Sequence, residues 1–283
     1  MKPIIKYRGG KSKEIPFFQD YIPQNFDTYI EPFFGGGALY FHLEPKKAII
    51  NDFNTRLINF YNEVQSNFEE VSKQLRSIQE MYDNNQAEYQ TLKNVSPDTH
   101  IKNCNEDLYY SLRDMYNHKV NSSYLDSVLY FFINKTAYSG MIRYNSLGEY
   151  NVPFGRYKNF NTSLLTKEHH NLLSTAQIYN KDYSAVFDMV KTEDFIFLDP
   201  PYDCIFSDYG NSEYADGFGE AEHRRLAADF KNLSCKALMI IGKTNLISDL
   251  YKGYIKDEYF KSYSVNIRNR FKSQTQHLII TNF

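Results

Sequence analysis

Phe195-Ile196-Phe197-Leu198-Asp199-Pro200-Pro201-Tyr202 is an apolar run cut short by an acid and two prolines. Four apolar residues without alternation mark a strand buried on both faces, as in a parallel sheet. The prolines offer no N–H to a ladder and stiffen the chain, so the strand ends at Leu198. Three further runs follow the same plan. Thr28-Tyr29-Ile30 leads into Glu31-Pro32-Phe33-Phe34-Gly35-Gly36-Gly37, Ala48-Ile49-Ile50 into Asn51-Asp52, and Ala176-Gln177-Ile178-Tyr179 into Asn180-Lys181-Asp182. Polar and glycine residues thus gather at the carboxyl ends of four strands, the edge at which open α/β sheets bind ligands. Ala237 to Ile241 is a fifth buried strand, and Ser262 to Ile267 with Leu278 to Thr281 are expected to close the sheet as an antiparallel pair. Helical stretches at Gly37 to Leu43, Leu57 to Val64 and Ala221 to Lys231 separate the runs, which predicts an α/β fold with an open sheet.

From about residue 56 to 170 this alternation stops. The segment is polar, rich in Asn and Tyr, and mostly helical, as in Phe68 to Met81 and Ser123 to Asn134. It ends in Tyr144-Asn145-Ser146-Leu147-Gly148-Glu149-Tyr150-Asn151-Val152, a hairpin pattern with its turn near Ser146-Leu147-Gly148. Such a length is too great for a loop in a compact domain and predicts an inserted subdomain. Residues 1–55 with 171–283 then form one domain and 56–170 the other.

The 283 residues carry a formal charge of -2, so no global positive field advertises a nucleic-acid binder, and any such role falls to local basic clusters. Cys104, Cys204 and Cys235 show no CxxC spacing, which argues for a reducing compartment without a disulfide framework. The start, MKPIIKYRGGK, is too polar for a signal peptide, and no run is long enough to span a membrane, so a cytoplasmic protein is expected. His169 and His170 are adjacent and no Cys/His cluster appears, so no metal is expected; His223, beside Arg224 and Arg225, reads as a surface helix residue.

The glycine triplet Gly35-Gly36-Gly37 makes a tight turn and lets backbone approach a ligand. It is not GxGxxG, so a pyrophosphate is not implied. Asp52, 17 residues after Gly35, stands near the place where an acid at the end of the second strand accepts ribose hydroxyls. A nucleoside without phosphates fits both observations. Asp199 sits at the sheet's mouth. An aromatic amine is a poor nucleophile because its lone pair is delocalised into the ring. Two acceptors on its hydrogens, Asp199 Oδ and the Pro200 carbonyl, would favour a tetrahedral nitrogen able to attack a sulfonium methyl, and Tyr202 would stack on the base. An amide or an RNA base also presents an NH2, so the tetrapeptide alone leaves the substrate open. C5-cytosine chemistry needs a thiolate, and Cys204 does not follow a proline as that chemistry asks.

In order and spacing these motifs resemble those of the Dam-like DNA adenine N6-methyltransferases, the D12 class with the alpha arrangement. The resemblance covers Lys6-Tyr7-Arg8-Gly9-Gly10-Lys11, Glu31 to Leu39, Asn51-Asp52-Phe53-Asn54, Asp182-Tyr183 and Asp199 to Tyr202. It extends to Ser139-Gly140-Met141-Ile142-Arg143-Tyr144-Asn145 with Gly148 to Gly155, which is similar to the family's DNA-recognition hairpin. It implies a Rossmann-like methyltransferase sheet with a reversed seventh strand and a mostly helical DNA-recognition subdomain. S-adenosyl-L-methionine is the implied cofactor, bound by Tyr7, Lys11, Phe34, Gly35, Gly36, Gly37, Asp52, Asp182, Tyr183 and Asp199. Catalysis falls to Asp199, Pro200, Pro201 and Tyr202. The partner is double-stranded DNA, with a cognate restriction endonuclease that forms no stable complex, in a bacterial or phage setting. The family commonly has Phe-Asn-Gly-Leu where Tyr138-Ser139-Gly140-Met141 stands here, which touches the recognised sequence.

Adenine N6 is inaccessible within the stack, so the base must flip out at a cost of a few kcal/mol, supplied by phosphate and groove contacts. Arg8, Met141, Arg143, Asn145, Arg156, Lys158, Arg268 and Arg270 are the expected DNA contacts. Arg143 is expected to read guanine, with a phosphate as its alternative partner. The expected reaction is methylation of N6 of adenine in a short palindromic site such as GATC, within a restriction-modification system. N4-cytosine methylation, RNA or protein methylation, and a silent DNA-binding module stand as alternatives.

Overall fold

The structure, a computed structural model, describes residues 1–202, 218–262 and 274–283. The chain divides into two compact units: Met1–Gly9 with Thr55–Ser174, and a second that begins at Gly10–Asn54 and resumes at Thr175. Among the described residues the helices along the chain are α1 (Ile15–Phe18), α2 (Ala38–Leu43), α3 (Thr55–Ser66), α4 (Phe68–Val95), α5 (Cys104–Tyr116), α6 (Asp126–Thr136), α7 (Lys167–Leu173), α8 (Tyr183–Phe187), α9 (Glu220–Lys231) and α10 (Asn245–Leu250).

The second unit holds the sheet. Its strands are β1 (Tyr29–Glu31), β2 (Ala48–Asn51), β3 (Ala176–Tyr179), β4 (Phe195–Leu198), β5 (Lys236–Gly242), β6 (Ile255–Ser262) and β7 (Gln274–Thr281). They stand in the order β3-β2-β1-β4-β5-β7-β6. The first five pair in parallel, and β7 runs antiparallel to both β5 and β6. This is the Rossmann-like methyltransferase sheet with a reversed seventh strand. The order reverses between β1 and β4, and the ends of these two strands carry the glycine turn and Asp199. One face packs Ile30, Ile196, Leu198, Met239 and Ile241 against Leu226 and Phe230 of α9. On α1, Phe18 stacks on Phe197 of β4, with centroids 5.7 Å apart.

Two expectations need correction. The sixth strand is Ile255–Ser262, upstream of the expected 262–267, of which 263–267 lie outside the described residues. Its sequence carries Lys256, Asp257, Glu258 and Lys261, which hides it from a search for apolar runs; an edge strand tolerates such charge. His223 is buried on α9, its ring 4.8 Å from that of Phe218. It begins the stripe that continues through Leu226, Ala227 and Phe230 at helical spacing, so the sheet-facing side claims it despite its charged neighbours.

The other unit is a helical bundle around α6, which is buried from Ser127 to Thr136. A helix apolar on all sides belongs inside a bundle. Much of the Tyr and Phe excess goes into this core: Phe160 lies 5.0 Å from Phe132, 6.0 Å from Phe131 and 6.0 Å from Tyr82. The first residues are bolted to α6. Asn134 accepts from the Lys6 N–H at 2.9 Å and donates to its carbonyl at 2.7 Å, and Lys135 donates to the Ile4 carbonyl at 2.5 Å. Burial, with Lys6 nearby, pushes the Lys135 ammonium down to about 8.

Candidate active site

Asp199 is the first residue beyond β4, and one-fifth of its side chain is exposed. The Lys11 ammonium, only 2% exposed, donates to its two carboxylate oxygens at 2.6 and 2.7 Å and to the Tyr202 hydroxyl at 2.8 Å. Burial raises the Asp199 carboxyl above its usual range, and the charge and hydrogen bonds of Lys11 act against that rise. The pair sets the Asp199 carboxyl, with both oxygens bound to Lys11, at the carboxyl edge of the sheet. Lys11 is interior.

A second cluster, which the sequence did not single out, lies behind Tyr202. Its ring meets the His277 imidazole at 79°, with centroids 5.2 Å apart. His277 Nδ1 is 2.7 Å from Glu14 Oε2, which also accepts from the Tyr259 hydroxyl at 2.6 Å, while Lys261 donates to Glu14 Oε1 at 2.5 Å. Burial alone would raise the Glu14 carboxyl, but these donors and the Lys11 charge bring it down to about 2. The sequence offers one local hint, a lone histidine heading the apolar run Leu278-Ile279-Ile280.

The glycine turn follows β1. Gly35 and Gly37 adopt φ of +47° and +63°, where side chains are strained. At Gly37 a Cβ would lie 2.5 Å from the Phe34 ring, so the buried Phe34 fills the inside of the turn and needs glycine there. Asp52 closes it: Oδ2 accepts from Gly35 N–H at 2.8 Å, and Oδ1 accepts from Asn54 N–H at 2.9 Å. Asn51 stitches neighbouring strand ends, donating to the Pro32 and Lys181 carbonyls at 2.9 and 3.0 Å. Asp182 caps α8 through Ser184 N–H at 3.1 Å and pairs with Arg225 at 2.8 Å. Tyr183 is buried, its hydroxyl donating to Asp229 at 2.7 Å. Lys11, Asp199 and Tyr202 thus come together, Gly35 and Asp52 form a second cluster, and Asp182 with Tyr183 engages α9.

Tyr7, half-buried, and Arg8, exposed, belong to the helical unit, as does the hairpin. Tyr144 and Tyr150 form an antiparallel bridge, with Asn145 N–H to Glu149 carbonyl at 2.9 Å and Asn151 N–H to Arg143 carbonyl at 3.2 Å. Asn145 ties the tip: its Oδ1 accepts from the N–H groups of Leu147 and Glu149, and its Nδ2 donates to Glu149. Met141 offers its carbonyl to the Tyr150 hydroxyl at 2.7 Å. Arg143 is exposed, with Nε donating to Asn151 Oδ1 at 2.8 Å. Arg156 is exposed at φ +54°, and Lys158 is exposed. Arg56 of α3, unsuspected from sequence, clamps the hairpin. Its guanidinium lies 4.4 Å from the Tyr144 ring and 5.1 Å from that of Tyr116, and donates to the Gly148 carbonyl at 3.1 Å. Arg268, Arg270 and Cys204 lie outside the described residues.

Among the described residues no group of three or more His, Cys, Asp or Glu is arranged to hold a metal ion, and no helix is long and apolar enough to cross a membrane. The chain is 35% identical to Type II methyltransferase M.CviBI of Paramecium bursaria Chlorella virus NC1A, over all of both chains. It is 30% identical to Type II methyltransferase M.MjaIII of Methanocaldococcus jannaschii, over all of this chain and 99% of the relative. It is 27% identical to the DNA adenine methylase of Haemophilus influenzae, over 96% of this chain and 91% of the relative. The profile of the D12 class matches residues 7–268, a span that takes in the glycine turn, the Lys11–Asp199 pair and the hairpin alike. With that span and those full-length likenesses, the chain belongs to the D12 class of N6 adenine-specific DNA methyltransferases.

Proposed function

We propose that this methyltransferase takes its methyl group from S-adenosylmethionine and delivers it to an adenine flipped out of duplex DNA, within a short palindromic site. The observation that carries the reading is the ionised Asp199 held by Lys11 beside Tyr202. Asp199 Oδ and the Pro200 carbonyl accept from the amino hydrogens, which favours a tetrahedral nitrogen. Tyr202 supplies a stacking face. The methylated nitrogen must lose one proton, and we assign its uptake to the Asp199 carboxylate. Fixed acceptors of this kind act by preorganisation.

The residues present fit the cofactor. Asp52 is only 8% exposed beside a turn built on positive-φ glycines, a carboxylate suited to hydroxyl donors and a backbone without phosphate-cradling GxGxxG. Tyr7, Lys11, Phe34 to Gly37, Asp52, Asp182 and Tyr183 are the residues we assign to it, and when bound it supplies an electrophilic sulfonium methyl. Residues 56–170 serve as the target-recognition subdomain, with 1–55 and 171–283 catalytic. Arg143 reads a base, while Arg8, Met141, Asn145, Arg156, Lys158, Arg268 and Arg270 complete the DNA contacts. We place the enzyme in a restriction-modification setting, a reading in keeping with the name Type II methyltransferase that two relatives carry.

Incubation with cofactor labelled at the methyl group and unmethylated plasmid DNA, followed by nucleoside digestion, tests this. Label in N6-methyladenine is expected, and Asp199→Ala should lower turnover by about 10²–10³-fold with DNA binding retained. Full activity in that variant, or label in N4-methylcytosine, refutes the assignment.

A further inference from the structure

The Tyr202 ring is fixed from several sides. Lys11 donates to its hydroxyl at 2.8 Å. The His277 imidazole meets it nearly at right angles, 5.2 Å between centroids. Gly242, which pairs with His277 across β5 and β7, lies against the ring: a Cβ there would meet Tyr202 Cδ2 at 3.5 Å, an ordinary contact that a larger side chain would tighten. His277 is itself immobilised. It is fully buried, its Nδ1 is 2.7 Å from Glu14, and the Tyr259 ring lies 5.5 Å away at 66°. Glu14 is in turn held by the Tyr259 hydroxyl and by Lys261. Burying a carboxylate and an imidazole is costly, and apolar residues would fill the same volume more stably. A buried polar network that is well satisfied specifies one geometry, and this one ends on the ring of the catalytic tetrapeptide.

We propose that His277, oriented by Glu14, is a positioning residue for the methylation reaction: it holds Tyr202 in the one orientation whose face receives the target adenine. The proposal rests on the reading of Tyr202 as the stacking partner of the flipped base. A ring already set before the base arrives has no rotamer freedom left to lose on stacking, and small misplacements of a reacting amine reduce rate sharply. The effect should therefore appear in the chemical step and leave cofactor affinity alone.

Two variants at this position separate the ring from the hydrogen bond. His277→Phe keeps an aromatic edge against Tyr202, and His277→Gln keeps a donor for Glu14 without the ring. With unmethylated plasmid DNA under single-turnover conditions, His277→Phe is expected within about threefold of wild type. His277→Gln is expected to lose about tenfold in rate, with cofactor affinity unchanged. Combined with Tyr202→Ala, His277→Gln should add nothing to the loss caused by Tyr202→Ala alone, because its effect travels through that ring. Gly242→Val adds branched methyl groups against the same ring while leaving the Glu14 and His277 side chains themselves unchanged, and should lower the rate likewise, so the idea stays testable if His277→Gln fails to fold. Wild-type rates in His277→Gln or Gly242→Val, or a loss that multiplies with that of Tyr202→Ala, overturns the positioning role. A wild-type rate in Tyr202→Ala overturns the stacking role beneath it.

Discussion

Lys11 bears on the charge of Asp199. Burial disfavours the carboxylate, and the ammonium restores it. Replacing Lys11 by Met should therefore push the Asp199 carboxyl higher still. In the proposed mechanism the ionised form is the acceptor and exists above its pKa, so the acid limb of the rate profile should move to higher pH. The pH dependence of kcat in Lys11→Met checks this, and an unmoved limb removes Lys11 from that role. Glu14 behaves in the opposite sense. Its carboxyl is brought down to about 2 in the fold, so its stabilisation is present above the unfolded value near 4.5 and disappears as pH falls from there toward 2. The shift corresponds to about 3 kcal/mol at neutral pH. Urea unfolding at pH 6 and pH 3 should show this loss in the wild type and a flatter dependence in Glu14→Gln. Of these residues only Asp199 and Lys11 announced themselves in the sequence. Glu14 and His277 are 263 positions apart and meet only through the fold, so no local pattern joins them.

The hairpin depends on elements remote in sequence. Arg56 grips it from α3, and on α5 Tyr109 donates to the Val152 carbonyl at 2.8 Å. Beyond the end of α5, Asn117 bonds both backbone groups of Tyr150. Arg56→Met loses the fork and the charge over two tyrosine rings, contacts worth about 0.5–2 kcal/mol. Amide exchange at Asn145 and Asn151 should quicken by roughly tenfold, with the sheet amides unchanged; unaltered exchange would show that α5 holds the hairpin alone. Gly155 is a stricter requirement. A Cβ there would stand 2.8 Å from the carbonyl oxygens of Thr136 and Ala137, which are backbone atoms unable to retreat. The buried strands and the hairpin turn were legible because period and turn chemistry are local properties. The charged β6, the length of α4 and the whole of α5 were not, since neighbours in space decided them.

At the scale of the molecule, a net charge of -2 gives no general attraction to DNA, so binding must rest on placed cations. Arg143 and Lys158 offer a clean contrast, both exposed in the helical unit. Lys158→Ala should reduce the slope of log affinity against log salt by about 1 without altering which sites are methylated. Arg143→Ala should relax the choice of site, at a cost of about 1–3 kcal/mol for the preferred base. Binding titrations across salt, with sequencing of methylated positions, distinguish the two, and equal behaviour would reassign Arg143 to phosphate. The position of β7 has a consequence of its own. It follows β6 in the chain yet lies between β5 and β6, so β6 has no place in the sheet until β7 is paired on both edges. That late strand also brings His277 to Tyr202. Assembly of the sheet and placement of the Tyr202 ring are then the same folding event, and a partly folded chain, however well it had formed its glycine turn, would lack that ring's support.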